Sequence, residues 1–188
     1  MSSHLSSTEQ SPAPVPREPL DRSAFERLFR ECAADVHGYA ISLLGDRAGA
    51  EDVTALAFER LYRSRARLDR SRGTPRAWLF GIVRNAALDE LRRRRRQAPD
   101  AHSVEPLEVG DPSQAIEHAD RRATVQAALM ELSPREREVV LLKFHAQLTN
   151  GELARVLGIS ESNAGTRVHR ALVRLRDTCS ELARQEVA

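Results

Sequence analysis

The side chains best suited to do chemistry in this sequence are amides, hydroxyls and guanidiniums, not nucleophiles or metal ligands. Asn163, Thr166, Arg167, Arg170 and Arg174 recur at spacings of three and four, so on a helix they would share one face. Groups of this kind hydrogen-bond base edges and neutralise phosphates in a DNA groove. A second set follows the same logic: Asn85 and Arg92 lie seven residues apart, on one side of a helix, and Arg92 to Arg96 are all arginine. Five consecutive arginines cannot face one way on a helix, so the run reads as a phosphate-attracting collar more than a base reader. The bland alternatives are an ordinary solvated face and a solubilising charge run. Catalytic metal chemistry lacks its usual signatures: Cys32 and Cys179 are the only cysteines, and the six histidines include no HExxH. No CxxC pair exists either, so a disulfide scaffold, a structural zinc site and a zinc hydrolase are not indicated. No metal and no cofactor are expected.

These side chains need helices to carry them. Ser133-Pro134-Arg135-Glu136 is a capping box with proline at the first helical position, predicting a helix through Val139, Val140, Leu142 and Lys143. Thr149-Asn150-Gly151-Glu152 is a second box, opening a short helix through Leu153, Ala154 and Leu157 that Gly158 ends. Ser160 then caps a third helix with an apolar stripe of Ala164, Val168, Ala171, Leu172 and Leu175, opposite the polar face. Short helix, glycine turn and longer helix together make a helix-turn-helix. Ahead of it, Ile116, Ala119, Ala123, Ala127 and Met130 predict another helix.

Toward the N-terminus, Phe25, Leu28, Phe29, Cys32, Val36, Tyr39 and Ala40 predict a helix that stops at Leu43-Leu44-Gly45-Asp46. A second, from about Ala48 to Arg65, carries Val53, Ala57 and Leu61, with Phe58 and Tyr62 beside them. Leu68 to Thr74 reads as a loop before Pro75. The helix from Pro75 to about Arg96 has two apolar stripes, Leu79, Ile82, Val83 and Ala86 on one side and Phe80, Ala87 and Leu91 on the other, with Arg84 among them. A helix apolar on two sides is central in a bundle. Trp78 reads as a core or wedge residue, not a stacking platform.

The whole chain of 188 residues has a formal net charge of only +2, which hides a strong pattern. Residues 1–20 sum to −1, residues 21–96 to +6 (17 basic, 11 acidic), residues 97–120 to −6 and residues 121–188 to +3 (11 basic, eight acidic). Two basic modules held apart by an acidic bridge suit a protein that meets a polyanion twice. The expected organisation is a disordered Ser/Pro tail over 1–20, a helical domain over 21–96, a flexible acidic linker over 97–114 and a helix-turn-helix domain over 115–188. The fold class is all-α, two small helical domains, with no convincing strand. No apolar run approaches a membrane span, and the N-terminus lacks the order of a signal peptide. No membrane insertion is expected, and a reducing cytoplasm is the expected location.

Here a family likeness enters. Gly45-Asp46-Arg47-Ala48-Gly49-Ala50-Glu51-Asp52-Val53, then Ala57-Phe58-Glu59-Arg60-Leu61-Tyr62, then Arg76-Ala77-Trp78-Leu79-Phe80-Gly81-Ile82-Val83-Arg84-Asn85 and the run to the five arginines resemble region 2 of bacterial extracytoplasmic-function (ECF) sigma factors. Leu132-Ser133-Pro134-Arg135-Glu136-Arg137-Glu138-Val139, Leu157-Gly158-Ile159-Ser160-Glu161 and Arg167-Val168-His169-Arg170-Ala171 resemble region 4. The likeness spans roughly residues 25–96 and 115–178, in family order. It implies a dissociable subunit of RNA polymerase, not an enzyme, with core polymerase and promoter DNA as partners and an anti-sigma factor as a further kind of partner. By that likeness, Arg84, Asn85, Arg92 and Arg93 would meet the −10 element, with Asp69 and Arg70 in its specificity loop. Ser162, Asn163, Thr166, Arg167 and Arg170 would meet the −35 element, and Asp52, Leu56 and Phe58 would contact the polymerase. The chain departs from the family pattern at Ala55-Leu56, where relatives commonly carry Gln-Glu, and at Ala164-Gly165, where a β-branched residue and Lys are usual. Two rival readings are a stand-alone helix-turn-helix regulator that never joins the polymerase and an enzyme such as a serine recombinase. The second would need a β-rich catalytic domain.

Overall fold

Gly45 and Asp46 make the first corner. Helix α1 (Arg22–Leu44) starts at Asp21, whose carboxylate accepts from the Ala24 N–H at 2.6 Å, and ends where Gly45 turns left-handed at φ 70°. A glycine adopts that φ without strain. The next residue, Asp46, opens α2 (Arg47–Ser64) by accepting from the Gly49 N–H at 2.7 Å. A 3₁₀ turn (Arg65–Arg67) follows, and α3 (Pro75–Gln97) begins after Thr74. The second half comprises α4 (Ile116–Glu131), α5 (Pro134–Val140), a π-helical turn (Leu141–His145), α6 (Asn150–Leu157) and α7 (Glu161–Gln185). The computed structural model describes residues 20–68, 73–97 and 116–185. Most of the expected tail, the loop residues Asp69 and Arg70, and the expected linker beyond Gln97 lie outside the described residues.

The N-terminal bundle closes around Cys32, Val36, Tyr39, Val53, Ala57, Leu61, Leu79, Phe80 and Val83, all buried. As the double apolar stripe requires, α3 lies between neighbours: it packs on α1, α2 and α6. Both expected capping boxes form, Ser133 with Glu136 and Thr149 with Glu152. Gly158 ends α6 at φ 68°, and Ser160 accepts from the Asn163 N–H at 3.2 Å at the start of α7.

Four expectations need correction. Leu20, assigned to the tail, is buried and donates its N–H to the Arg65 carbonyl at 3.2 Å. In α4 the stripe is displaced: Ala123 and Ala127 are exposed while Ala128, Leu129 and Leu132 are buried. The larger leucines gain more by leaving water than the alanines do, and they pack with Val140 and Ala171 in a small separate core. The α5 helix does not continue regularly to Lys143. It widens into the π turn, in which the Ala146 N–H reaches back to the Leu141 carbonyl at 2.9 Å. Finally, the two modules are not held apart. Val139, Leu141, Leu142, Leu148 and Leu153 share one apolar cluster with the N-terminal bundle.

Candidate nucleic-acid interface

Helix α7 carries the first half of the interface. Ala164, Val168 and Ala171 are buried against the module, which leaves Ser162, Asn163, Thr166, Arg167, Arg170 and Arg174 exposed on the other side. Arg167 Nε donates to Asn163 Oδ1 at 3.1 Å, so the amide steers the guanidinium while both Nη groups keep their donors. Two parallel N–H donors match the two major-groove acceptors of guanine. The Thr166 hydroxyl donates to the Ser162 carbonyl at 3.0 Å, which turns it onto its own helix. Arg174 lies 3.6 Å from Glu136 of the first capping box. Hydrogen bonds from Ser133 lower the Glu136 pKa against the effect of its partial burial.

Helix α3 carries the second half, and there the arginines are unequal. Arg92 pairs with Asp89 at 2.8 Å on an open surface. Arg93 donates twice to Glu90, at 2.7 Å each. Arg94 joins Glu90 at 2.8 Å and also pairs with Asp46. It reaches Asp46 because Gly49 has no side chain; a Cβ there would collide with Arg94 Nη2. Arg94 is therefore a tie between α2 and α3, whereas Arg92, Arg95 and Arg96 are exposed. Hydrogen bonds from Arg93, then Arg94, hold the Glu90 carboxyl down at about 2.

Higher up α3, Asn85 is exposed but Arg84 is not a free cation. Its Nε donates to Glu138 Oε1 of α5 at 2.8 Å, with only 21% of its side chain exposed. Trp78 is not a core residue: it is 36% exposed and lines a groove of about 470 Å³ with Ile82, Asn85, Arg155 and Val156.

The comparisons with known proteins follow this division. Residues 28–97 match the family described as Sigma-70 region 2, and residues 122–175 match Sigma-70, region 4. The ECF RNA polymerase sigma factor SigL of Mycobacterium tuberculosis is 33% identical over 160 residues, covering 82% of this chain and 88% of SigL. The chain belongs to the ECF RNA polymerase sigma factors.

SigE of Mycolicibacterium smegmatis, another ECF RNA polymerase sigma factor, is also 33% identical, over 158 residues; the match covers 82% of this sigma factor and 61% of SigE. A structure of the sigma factor RpoE in complex with the anti-sigma factor NepR from Bartonella quintana shares the fold, with TM-score 0.69, 21% identity, and 83% and 96% of the two chains covered. Sigma factors act in transcription initiation by RNA polymerase, and with both regions present the stand-alone regulator is not favoured. Among the described residues, no helix of the sigma factor is long and apolar enough to cross a membrane.

Of the residues expected at the polymerase, Asp52 is exposed and Leu56 half-buried. Both line a cleft of about 550 Å³ between α2 and α3, with Arg60, Ala86 and Arg93. Phe58 differs: it is 5% exposed, its ring 4.7 Å from that of Phe29 and 6.3 Å from that of Phe25. On this side of the sigma factor the exposed aromatics are Phe29 and Tyr62. Helical spacing placed Phe58 beside the inward stripe, and α1 supplies the rings that cover it.

Sequence reasoning missed the residues that join the two regions. Arg76 Nε donates to the Ala146 carbonyl at 2.6 Å and Nη2 to the His145 carbonyl at 3.2 Å, while Nη1 meets the Cys32 thiol at 3.0 Å. Its guanidinium also pairs with Asp35. His145 Nε2 lies 3.1 Å from the Asp35 carbonyl oxygen. Tyr39 is wholly buried and donates to Glu138 at 3.3 Å; burial, then the Glu138 charge, raises its pKa well above the usual phenol range. Thr74 donates to Glu152 through its hydroxyl at 2.5 Å and its N–H at 3.2 Å. Burial pushes the Glu152 carboxyl up, but bonds from Thr74 and Thr149 prevail and hold it below its ordinary pKa. Glu152 was legible as a capping residue; its second partner lies 78 positions away, beyond any local signal.

Proposed function

We propose that this chain binds core RNA polymerase as a dissociable, non-enzymatic subunit in the cytoplasm and selects promoters through two surfaces. Helix α7 reads the −35 major groove with Asn163, Arg167 and Arg170, flanked by Ser162 and Thr166. Helix α3 serves the −10 element, with Arg84 and Asn85 nearest the bases, Arg92 and Arg93 on phosphates, and Asp69 and Arg70 in the adjoining loop. The cleft at Asp52 and Leu56 receives the polymerase, and Phe58 supports that surface from beneath. The working domain boundaries are 21–96 and 115–188, with residues 97–114 as linker. An anti-sigma factor belongs among the partners by analogy with relatives such as RpoE.

The observation that carries this reading is the exposed Asn163–Arg167 pair on a doubly capped helix-turn-helix, in one chain with a basic bundle. The test is reconstitution with core RNA polymerase on genomic DNA, followed by mapping of transcript starts. Stable core binding and starts that share two spaced elements are expected. Failure to bind core, together with tight sequence-specific binding of duplex DNA by the free chain, would instead establish a stand-alone regulator.

A further inference from the structure

One face of the N-terminal bundle shows aromatic rings to solvent. Phe29 is 46% and Tyr62 38% exposed, and the half-buried Phe25 and the buried Phe58 lie between them. The rings form a chain, Tyr62 to Phe25 at 5.0 Å, Phe25 to Phe58 at 6.3 Å and Phe58 to Phe29 at 4.7 Å. An exposed apolar patch of this kind marks a contact. The backbone groups beneath it are bonded within α1 and α2, so an occupant meets ring faces and no free ladder to pair with. That favours a segment with few N–H donors of its own, which proline supplies.

Such a segment adjoins the patch. Leu20 is buried and donates its N–H to the Arg65 carbonyl at 3.2 Å, and the Arg65 guanidinium carbon stands 3.9 Å from the centre of the Tyr62 ring. Ahead of Leu20, Pro12-Ala13-Pro14-Val15-Pro16-Arg17-Glu18-Pro19 includes four prolines and lies outside the described residues. An extended proline-rich segment spans about 3.1 Å per residue, so this one reaches about 25 Å, further than the path of rings from Tyr62 to Phe29.

We propose that residues 12–19 dock on the aromatic face of α1 and α2, with Leu20 as the fixed end and proline rings against Tyr62 and Phe29. At three residues per turn, Ala13, Pro16 and Pro19 share one edge of the segment, so the edge that meets the rings is apolar. Proline-rich peptides use aromatic-lined grooves in this way, here within one chain. Because Leu20 is tied down, the segment docks at a high effective concentration. A contact too weak to hold a free peptide is then enough. Docking here is independent of which helix meets promoter DNA.

Tyr62 supplies the readout. The only other tyrosine, Tyr39, is wholly buried, so nitration by tetranitromethane, read by mass spectrometry of the Tyr62 peptide, reports cover over this face in the full-length chain. Pro12→Ser, Pro14→Ser and Pro16→Ser combined leave every residue of the bundle in place. They should raise the Tyr62 nitration rate about fivefold, the factor expected when the uncovered form is about one fifth of the wild-type population. In wild type, nuclear Overhauser contacts should join proline ring protons to the Tyr62 and Phe29 rings, and the variant should lose them. An unchanged nitration rate, or the absence of those contacts, would overturn docking. Contacts found only between differently labelled molecules, with protection that rises with protein concentration, would assign the face to a second copy instead. A Tyr62 as reactive in wild type as in the variant, and protected only when core RNA polymerase is added, would assign it to the polymerase.

Discussion

Replacing Arg76 gives the sharpest test of the packing between the two regions. Its side chain is 22% exposed and is bonded to two carbonyls, a thiol and the Asp35 carboxylate. Arg76→Ala removes all four partners at once and leaves Asp35, itself 31% exposed, without its cation. Breaking one side of a buried pair costs about 3–5 kcal/mol, and hydrogen bonds to a charged group contribute about 1.5–3 kcal/mol each. Partial solvent access at both ends lowers these figures, so a loss of about 2–4 kcal/mol is expected. Arg76→Lys should recover only a minor part, because a point ammonium cannot span carboxylate and carbonyls as the planar fork does. Urea denaturation followed by far-ultraviolet circular dichroism measures both, with the slope checked for two-state behaviour. A loss below about 1 kcal/mol for Arg76→Ala, or full recovery by lysine, would show that these bonds do not hold the regions together in solution.

Other perturbations probe single features. Gly165→Ala should stabilise the chain by up to ~1 kcal/mol, since its new Cβ would make only an ordinary 3.5 Å contact with Asn150; a fall in melting temperature would contradict that. Glu90 titrates at about 2 instead of its ordinary 4.5, so its contribution is complete above the ordinary value and is lost as pH falls toward about 2. Wild type should exceed Glu90→Gln by ~1–2 kcal/mol near neutrality, after allowance for the half-exposed Arg93, and an acid titration of both by denaturation should show the difference closing. Arg167→Ala should cost about 1–3 kcal/mol of discrimination between promoters differing at −35, read as holoenzyme affinity on paired promoters. Arg93→Ala should weaken all promoters alike and flatten the salt dependence by at most about one unit of slope, because Glu90 already shares its charge.

How much was legible depended on how far apart the interacting residues stand. The sequence by itself determined the helices and their ends: Gly45-Asp46, Ser133-Pro134, Thr149 to Glu152 and Gly158 act within one turn of backbone. It also determined the α7 face, because the buried Ala164, Val168 and Ala171 force their helical neighbours outward. Tertiary structure decided which cations are free. Arg84, Arg92 and Arg94 look alike in sequence, yet one is committed to Glu138, one stays on an open surface and one ties α3 to Asp46. It also made Phe58 core and Phe29 surface, which periodicity on one helix cannot distinguish when a neighbouring helix supplies the cover. The join between the two regions belongs wholly to the tertiary level. Its bonds link residues 54 to 110 positions apart, and the charge and hydrogen-bonding needs that created them are satisfied only once the chain has closed on itself.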